Sequence, residues 1–270
     1  PREKSEKFGW ITELLAISYY KDWYNNDLNK ELTPIQISKA RRKCLTHFRQ
    51  TVSKINKSLE TTQIYQCDLN WQNINFDKNV TSITMRKQSN AFRNVKKDGI
   101  IRSNNDDRIK CSENYFKYIE ECNLGTKNIK GKRISIIDFV KDAIFCNDDI
   151  EKNIINLQWD NNSKDNNKLK NVIAMVDTSA SMEQDNCQPS YSAIGLGIRI
   201  AEKSNFGKRV LTFSAEPNWI NLDNLDFVET VKKIKKAHWG QNTNFRAALD
   251  LILDTAIKNN IPSSDMQNLT

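Results

Sequence analysis

The sequence has 270 residues, of which 38% are apolar and 27% are charged, with 41 Lys+Arg against 33 Asp+Glu. This length allows one large domain or two ordinary ones, whose cores need no disulfide or metal. No apolar run reaches the roughly 18 residues of a membrane span, so no membrane partner is expected. The first residues lack an initiator Met and a signal-like apolar segment. We therefore expect the native polypeptide to continue beyond both ends.

Cysteine and histidine usage argues against several classes of site. The six cysteines include no CxxC pair and predict free thiols in a reducing compartment, the cytoplasm. They are Cys44, Cys67, Cys111, Cys122, Cys146 and Cys187. His47 and His238 are the only histidines and have no metal-ligand neighbours at helical spacing. The sequence also lacks the GxxxxGK[ST], GxGxxG and GxSxG motifs, so we do not expect an enzyme.

The first half of the chain predicts helices. Apolar residues three and four apart predict a helix from about Glu6 to Tyr24. Thr33 and Pro34 are typical of an N-cap and a first helical position, and begin a long amphipathic helix that reaches about Leu59. Further helices are predicted near residues 80–96, 106–123, 134–146 and 149–158. Residues 1–160 therefore form a predicted helical region.

A polar segment separates this region from the rest. Residues 160–167 are all polar, and we predict a linker over residues 161–168. Residues 168–270 hold 12 Lys+Arg against 11 Asp+Glu, which leaves 29 against 22 for residues 1–167. Nearly all the excess positive charge thus belongs to the helical half.

The second half alternates strands and helices. Residues 169–176 are typical of a buried parallel strand, and a second strand is predicted at 209–214 with a short antiparallel edge strand at 218–222. Helices are predicted at 191–203, 225–237 and 245–259. This order predicts an α/β sheet with crossover helices over residues 169–270.

One motif at the end of the first strand points to metal chemistry. Asp177, Ser179 and Ser181 form an Asp-x-Ser-x-Ser pattern where α/β sheets place ligand sites. One carboxylate and two hydroxyls suit Mg²⁺, which takes about six oxygens at ~2.0–2.1 Å and retains waters. Thr243, in a loop before a helix, is the expected donor of another hydroxyl. The alternatives are a turn-and-cap cluster, with Thr243 as a helix cap, or a nucleophilic serine, which has no nearby His as base.

Three segments resemble a known family. They read VDTSASM at 176–182, GKRVLTFSAEP at 207–217 and HWGQNTNFRAALDLILDTAIKNN at 238–260. With the helices before them, they resemble the uncharacterised proteins related to the Ro autoantigen (TROVE-like). The members join a HEAT-like helical-repeat region to a C-terminal von Willebrand factor A domain, a doubly wound α/β fold with a metal-ion-dependent adhesion site.

The resemblance implies roles for individual residues. Asp177, Ser179 and Ser181 match the family's Asp-x-Ser-x-Ser element, and Thr243 matches its threonine element. The family's third element, an Asp after the next strand, has no counterpart before Thr270, so the A domain is expected to be truncated. The well-studied relatives bind structured and misfolded RNA, and the family also occurs in large DNA viruses.

Clusters of basic residues in the first half are candidate nucleic-acid contacts. Lysine and arginine supply sequence-independent affinity for phosphates. A solvated surface and an acidic protein partner are the alternatives. The candidates are Arg41, Arg42, Lys43, Arg86, Lys87, Lys130, Lys132 and Arg133.

The sequence therefore predicts a non-catalytic binding or scaffold protein. The helical half would engage RNA, and the A domain would bind an acidic partner protein through Mg²⁺, with Mn²⁺ or Ca²⁺ as substitutes. The alternative is a protein-interaction or structural component without a nucleic-acid role, and the alternative to a cytoplasmic location is a virion.

Overall fold

The structure, a computed structural model, describes residues 2–20, 33–164, 166–169, 172–237 and 244–266. The chain divides into two compact units, residues 1–75 and residues 76–270. The described part of the first unit is helical, and the second combines helices with one three-stranded sheet, which confirms the predicted combination of helices and a small sheet. Within the described ranges, no helix is both long enough and apolar enough to cross a lipid bilayer.

The first unit is built on a pair of packed helices. They are α1 (Arg2–Tyr19) and α2 (Pro34–Ser58), followed by the short α3 (Thr62–Cys67). Helix α2 begins as predicted, because the Thr33 hydroxyl accepts from the Gln36 N–H while the Gln36 side chain accepts from the Thr33 N–H. Cys44 is buried, and the rings of Tyr19 and Phe48 lie 6.3 Å apart. Residues 21–24 of the first predicted helix lie outside the described residues.

Four helices open the second unit, and all four were predicted. They are α4 (Ser82–Phe92), α5 (Asp106–Asn123), α6 (Ile136–Phe145) and α7 (Asp149–Ser163). Between α4 and α5, aromatic side chains pack edge to face in the interior, with Phe76 5.1 Å from Phe92 and 5.2 Å from Tyr115 between ring centroids. These aromatic rings therefore belong to the core of the second unit.

The sheet has the predicted order of pairing. Strands β1 (Ala174–Asp177) and β2 (Arg209–Phe213) are parallel, and β3 (Trp219–Asn221) pairs antiparallel to β2 as a short edge strand. Helices α8 (Gln184–Lys203) and α9 (Phe227–Lys235) cover one face of the sheet, and α10 (Phe245–Lys258) covers the other.

Helix α8 approaches β1 and α6 closely because it carries glycines at both contacts. A Cβ at Gly197 would lie 2.4 Å from Val176 Cγ2, and a Cβ at Gly195 would lie 2.1 Å from Ile136 Cγ2. Only glycine allows these separations without displacing a neighbour. The backbone of α8 at Gly197 therefore packs directly on the Val176 side chain of the strand that ends in Asp177.

The core under the sheet also includes α6 and α7. Trp159 of α7 is fully buried and stacks on Phe227 of α9, with 3.8 Å between ring centroids. The segment predicted as a linker begins inside α7, which ends at Ser163. Asn162 donates to the Gly131 carbonyl at 3.2 Å and accepts from Arg199 at 3.2 Å. These polar residues are thus hydrogen-bonded within the protein, which composition could not reveal.

Candidate functional site

The Asp-x-Ser-x-Ser motif lies at the carboxyl end of β1. Asp177 is the last residue of the strand and stands opposite Phe213 of β2. The Thr178 N–H still donates to the Phe213 carbonyl, at 3.2 Å, and the chain then turns into a short 3₁₀ helix at Ala180–Glu183. Ser179 has an extended backbone at this turn, and its carbonyl accepts from the Met182 N–H. The turn brings the three motif side chains to one place.

Hydrogen bonds fix the geometry of the cluster. The Ser179 N–H donates to Asp177 Oδ1 at 2.8 Å, and the hydroxyl oxygens of Ser179 and Ser181 lie 2.9 Å apart. Ser179 is buried, Asp177 is half-buried and Ser181 is exposed. The cluster is therefore anchored on its inner side and reaches the surface through Ser181.

The donor set is compatible with Mg²⁺. Neighbouring oxygens around an octahedral ion with bonds of ~2.0–2.1 Å lie about 2.9 Å apart. The two serine hydroxyls have that separation, and Asp177 Oδ2 is not used by the bond from Ser179. The same distance also suits a hydrogen bond between two hydroxyls. The turn-and-cap interpretation and the metal interpretation thus predict the same short distance.

The predicted fourth donor cannot be located, because Thr243 lies outside the described residues, as do His238 and Trp239. Its neighbour Asn244 is described. The Asn244 N–H donates to the carbonyl of Ser214 at 3.1 Å, just after β2, and the Asn244 side chain caps α10 by accepting from the Ala247 N–H. The chain therefore enters α10 beside the end of the strand that pairs with β1.

Two of the three motif side chains are neutral hydroxyls, and only one is a carboxylate. Within the described ranges, no three His, Cys, Asp or Glu side chains converge to hold a metal ion. Asp177 would thus supply the one negative charge among the three motif side chains.

A segment with a strained backbone follows the motif, and no prediction from the sequence included it. Asp185, Asn186 and Cys187 have φ of 50°, 57° and 59°, so the start of α8 is kinked before its regular part. Left-handed residues other than glycine cost on the order of 1–3 kcal/mol each, and Asp and Asn tolerate this region best. The Asp-Asn pair was the signal in the sequence. Glu183, two residues before this segment, forms an ion pair of 2.9 Å with Lys235 of α9.

The basic candidates of α2 are exposed but do not share one face. Arg41, Arg42 and Lys43 are consecutive, so a helix distributes them around its axis. Arg42 and Lys43 lie on the side away from the apolar residues, whereas Arg41 lies over the side that carries Phe48. Arg42 also reaches Ser38 at 3.4 Å.

Arg86 is held in ion pairs, which is a correction to its predicted role. Its guanidinium donates to both carboxylate oxygens of Asp142, at 2.9 Å for one of them, and pairs with Asp138 at 3.0 Å. The hydrogen bond to Asp142 raises the pKa of the guanidinium. Because two carboxylates of α6 compensate this charge, we exclude Arg86 from the candidate phosphate contacts. Its neighbour Lys87 is exposed.

The third basic cluster lies in the loop between α5 and α6. Lys132 and Arg133 are exposed, and Lys130 is half-buried with its ammonium donating to the Lys78 carbonyl at 2.9 Å. Asn161 and Asn162 of α7 hydrogen-bond the backbone of Gly131 between them. The loop is thus a fixed feature of the second unit.

The comparisons with known proteins connect the chain to proteins that have no assigned function. Residues 171–268 match a family described as a domain of unknown function, DUF7788. Over 225 residues, or 81% of this chain, the sequence is 30% identical to an uncharacterised protein of Acanthamoeba polyphaga mimivirus. The chain spans 38% of the length of that viral protein. No solved structure matches the chain.

Proposed function

We propose that this protein is a non-catalytic binding protein that holds a divalent cation at Asp177, Ser179 and Ser181 and uses it to bind a carboxylate of a partner protein. The observation that carries the proposal is the grouping of one carboxylate and two hydroxyls in a single turn at the carboxyl end of β1, where the Ser179 N–H donates to Asp177 and the hydroxyls of Ser179 and Ser181 are neighbours. The position of this cluster at the end of a parallel strand, beside the entry to α10, is in keeping with the resemblance to a von Willebrand factor A domain.

The proposed cation would have one charged ligand and several neutral ones. Asp177 would provide the charged ligand, while Ser179 and Ser181 would provide neutral hydroxyls, and Thr243 is the expected further donor. A cation with so few charged ligands stays electrophilic and can accept an external Asp or Glu carboxylate.

The metal proposal is tested by thermal unfolding of the full chain with and without Mg²⁺. Binding to the folded state alone stabilises by RT ln(1 + [L]/Kd), about 2.7 kcal/mol at 100 times the Kd. We expect Mg²⁺ to raise the Tm of the wild type and of Asp223→Asn, a matched control at an exposed acid. Asp177→Asn should abolish the rise, and Ser181→Ala should reduce it.

Two results would contradict the metal proposal. The first is a wild-type Tm that does not respond to Mg²⁺, Mn²⁺ or Ca²⁺. The second is an Asp177→Asn variant that loses stability but keeps the full metal response, as a turn-and-cap cluster would. Capture of an acidic peptide that requires the metal and is lost in Asp177→Asn would extend the proposal to the partner.

A second candidate function is sequence-independent binding of RNA by α2. This helix carries seven Lys and Arg and no Asp or Glu. At 3.6 residues per turn, six of the seven fall within an arc of about 140°, opposite the apolar residues, along about 27 Å of helix. These six are Lys39, Arg42, Lys43, Arg49, Lys54 and Lys57, and all are exposed. Since the helix has no acid of its own, it contributes only positive charge along this side.

RNA binding is tested by fluorescence anisotropy with a structured RNA at about 50 and 200 mM salt, a range over which six to ten phosphate contacts lose about 10³–10⁵ in affinity. Replacing Lys39, Lys43 and Lys57 by Gln should weaken binding and flatten the salt dependence. The matched control replaces Lys96, Lys97 and Lys117 by Gln. No wild-type binding at the lower salt would refute this function, and equal losses in both variants would refute the role of α2.

The similarity to a mimivirus protein supports the alternative location predicted above, a virion. In that setting the helical half would serve as a scaffold in the assembled particle, with the HEAT-like repeat that the resemblance implies.

A further inference from the structure

A cavity of about 570 Å³ lies between the start of α4 and the loop that follows α5. Its walls include Asp77 and Thr81 on one side and Lys130, Lys132 and Arg133 on the other. It is far in sequence from the Asp177 cluster and belongs entirely to the second unit.

Three amide side chains of α7 hold the basic wall in position. The Gly131 N–H donates to Asn161 Oδ1 at 2.9 Å, its carbonyl accepts from Asn162 at 3.2 Å, and Gln158 donates to the Lys130 carbonyl at 3.0 Å. Gln158 is only 2% exposed. A Cβ at Gly131 would lie 1.9 Å from the Gln158 carbonyl oxygen, so only glycine permits this contact. The loop is therefore organised before any ligand arrives, which lowers the entropy cost of binding.

The charges around the cavity favour an anion. Lys78 adjoins Lys130, whose ammonium donates to the Lys78 carbonyl, and Lys164 donates to Asn128 Oδ1 at 3.4 Å. Among the described residues that line the cavity, Asp77 is the one acid against three cations. Arg133 presents a planar fork of donors that matches phosphate oxygens.

The floor of the cavity is apolar. Ile83 and the buried Ile129 contribute to the lining. A ligand that fills the cavity therefore needs a charged end for the basic wall and a less polar body for the isoleucines. A phosphodiester along a nucleic-acid strand carries a single charge, whereas a phosphate monoester carries about −1.5 to −2 at pH 7.

We propose that this cavity binds a phosphate monoester attached to an organic group, supplied either by a free nucleotide or by the terminal phosphate of an RNA strand. Arg133 and Lys130 contact the phosphate, and Ile83 and Ile129 contact the attached group. The proposal depends neither on a metal at Asp177 nor on RNA binding by α2.

The first test is calorimetric titration of the full chain with AMP and with adenosine. We expect AMP to bind and adenosine not to bind. Because a charge-assisted hydrogen bond is worth about 1.5–3 kcal/mol, Arg133→Gln should weaken AMP binding at least about tenfold. Lys97→Gln, which removes an exposed cation elsewhere in the same unit, should bind as the wild type does. The melting temperature of each variant confirms that it is folded.

The second test compares a 5′-phosphorylated RNA with the same RNA carrying a 5′-hydroxyl, each competing for the AMP site. Displacement by the phosphorylated strand alone assigns the site to RNA ends, and binding of AMP with no displacement by either strand assigns it to free nucleotides. The proposal is overturned if neither AMP nor the phosphorylated strand binds at about 1 mM. Equal binding of AMP and adenosine, equal displacement by both strands, or equal losses in Arg133→Gln and Lys97→Gln would also overturn it.

Discussion

Replacing Gly197 with Ala probes the contact that holds β1 under its helix. The new Cβ would lie 2.4 Å from Val176 Cγ2, closer than packed carbons approach, so α8 or β1 has to move. Overpacking of this kind costs about 1–3 kcal/mol, and the better helix propensity of Ala returns up to about 1 kcal/mol. We expect a net loss of about 1–2 kcal/mol in the free energy of unfolding, measured by urea denaturation.

A double mutant separates this clash from a general effect on the helix. Val176→Ala removes the methyl group that the new Cβ meets, so the combined variant should lose less than the sum of the single variants by about 1 kcal/mol. The argument is refuted if Gly197→Ala is as stable as the wild type, or if the two substitutions are additive. Either result would mean that α8 and β1 are not in the tight contact described.

Three further predictions concern ionisable groups. Burial raises the pKa of Glu202 in the folded protein above its ordinary value of 4.5. The protonated side chain therefore adds to the free energy of unfolding at low pH, and this contribution is lost as the pH rises above about 4.5. Glu202→Gln should therefore flatten the fall in urea midpoint between about pH 4 and pH 7, and an unchanged fall contradicts this. Asp142→Asn leaves Arg86 short of a partner and should cost about 1–2 kcal/mol by urea denaturation, whereas a neutral result would mean that the pair is solvated. Burial raises the pKa of Cys111 to about 11, so iodoacetamide at about pH 8 should alkylate the exposed Cys67 and spare Cys111, as peptide masses would show.

Counting charges along the sequence does not show which basic residues are in ion pairs. Arg86 belonged to a cluster with Lys87 in the sequence, yet its partners Asp138 and Asp142 are more than 50 residues further along the chain. Arg93 is likewise paired, with Asp148. Helix α2 contains no acid in its own sequence, and its cationic side follows from helical periodicity alone.

Local sequence patterns were sufficient to predict the helices and strands and much of the strand pairing. Periodicity and capping residues are local properties, so they predicted α2 from Thr33 and Pro34, the four helices before the sheet, and the parallel and antiparallel strands. The same local pattern placed Asp177, Ser179 and Ser181 at the end of β1.

Contacts between residues that are distant in the sequence could be seen only in the folded chain. Helix α7 continues to Ser163, into the predicted linker. It does so because Asn161 and Asn162 form hydrogen bonds with Gly131 and Arg199, which are distant in the sequence. The folded chain also forms the basic cavity between segments that are separate in the sequence. Hydrogen bonds and close packing between remote residues depend on the folded backbone, which is why only the structure could assign them.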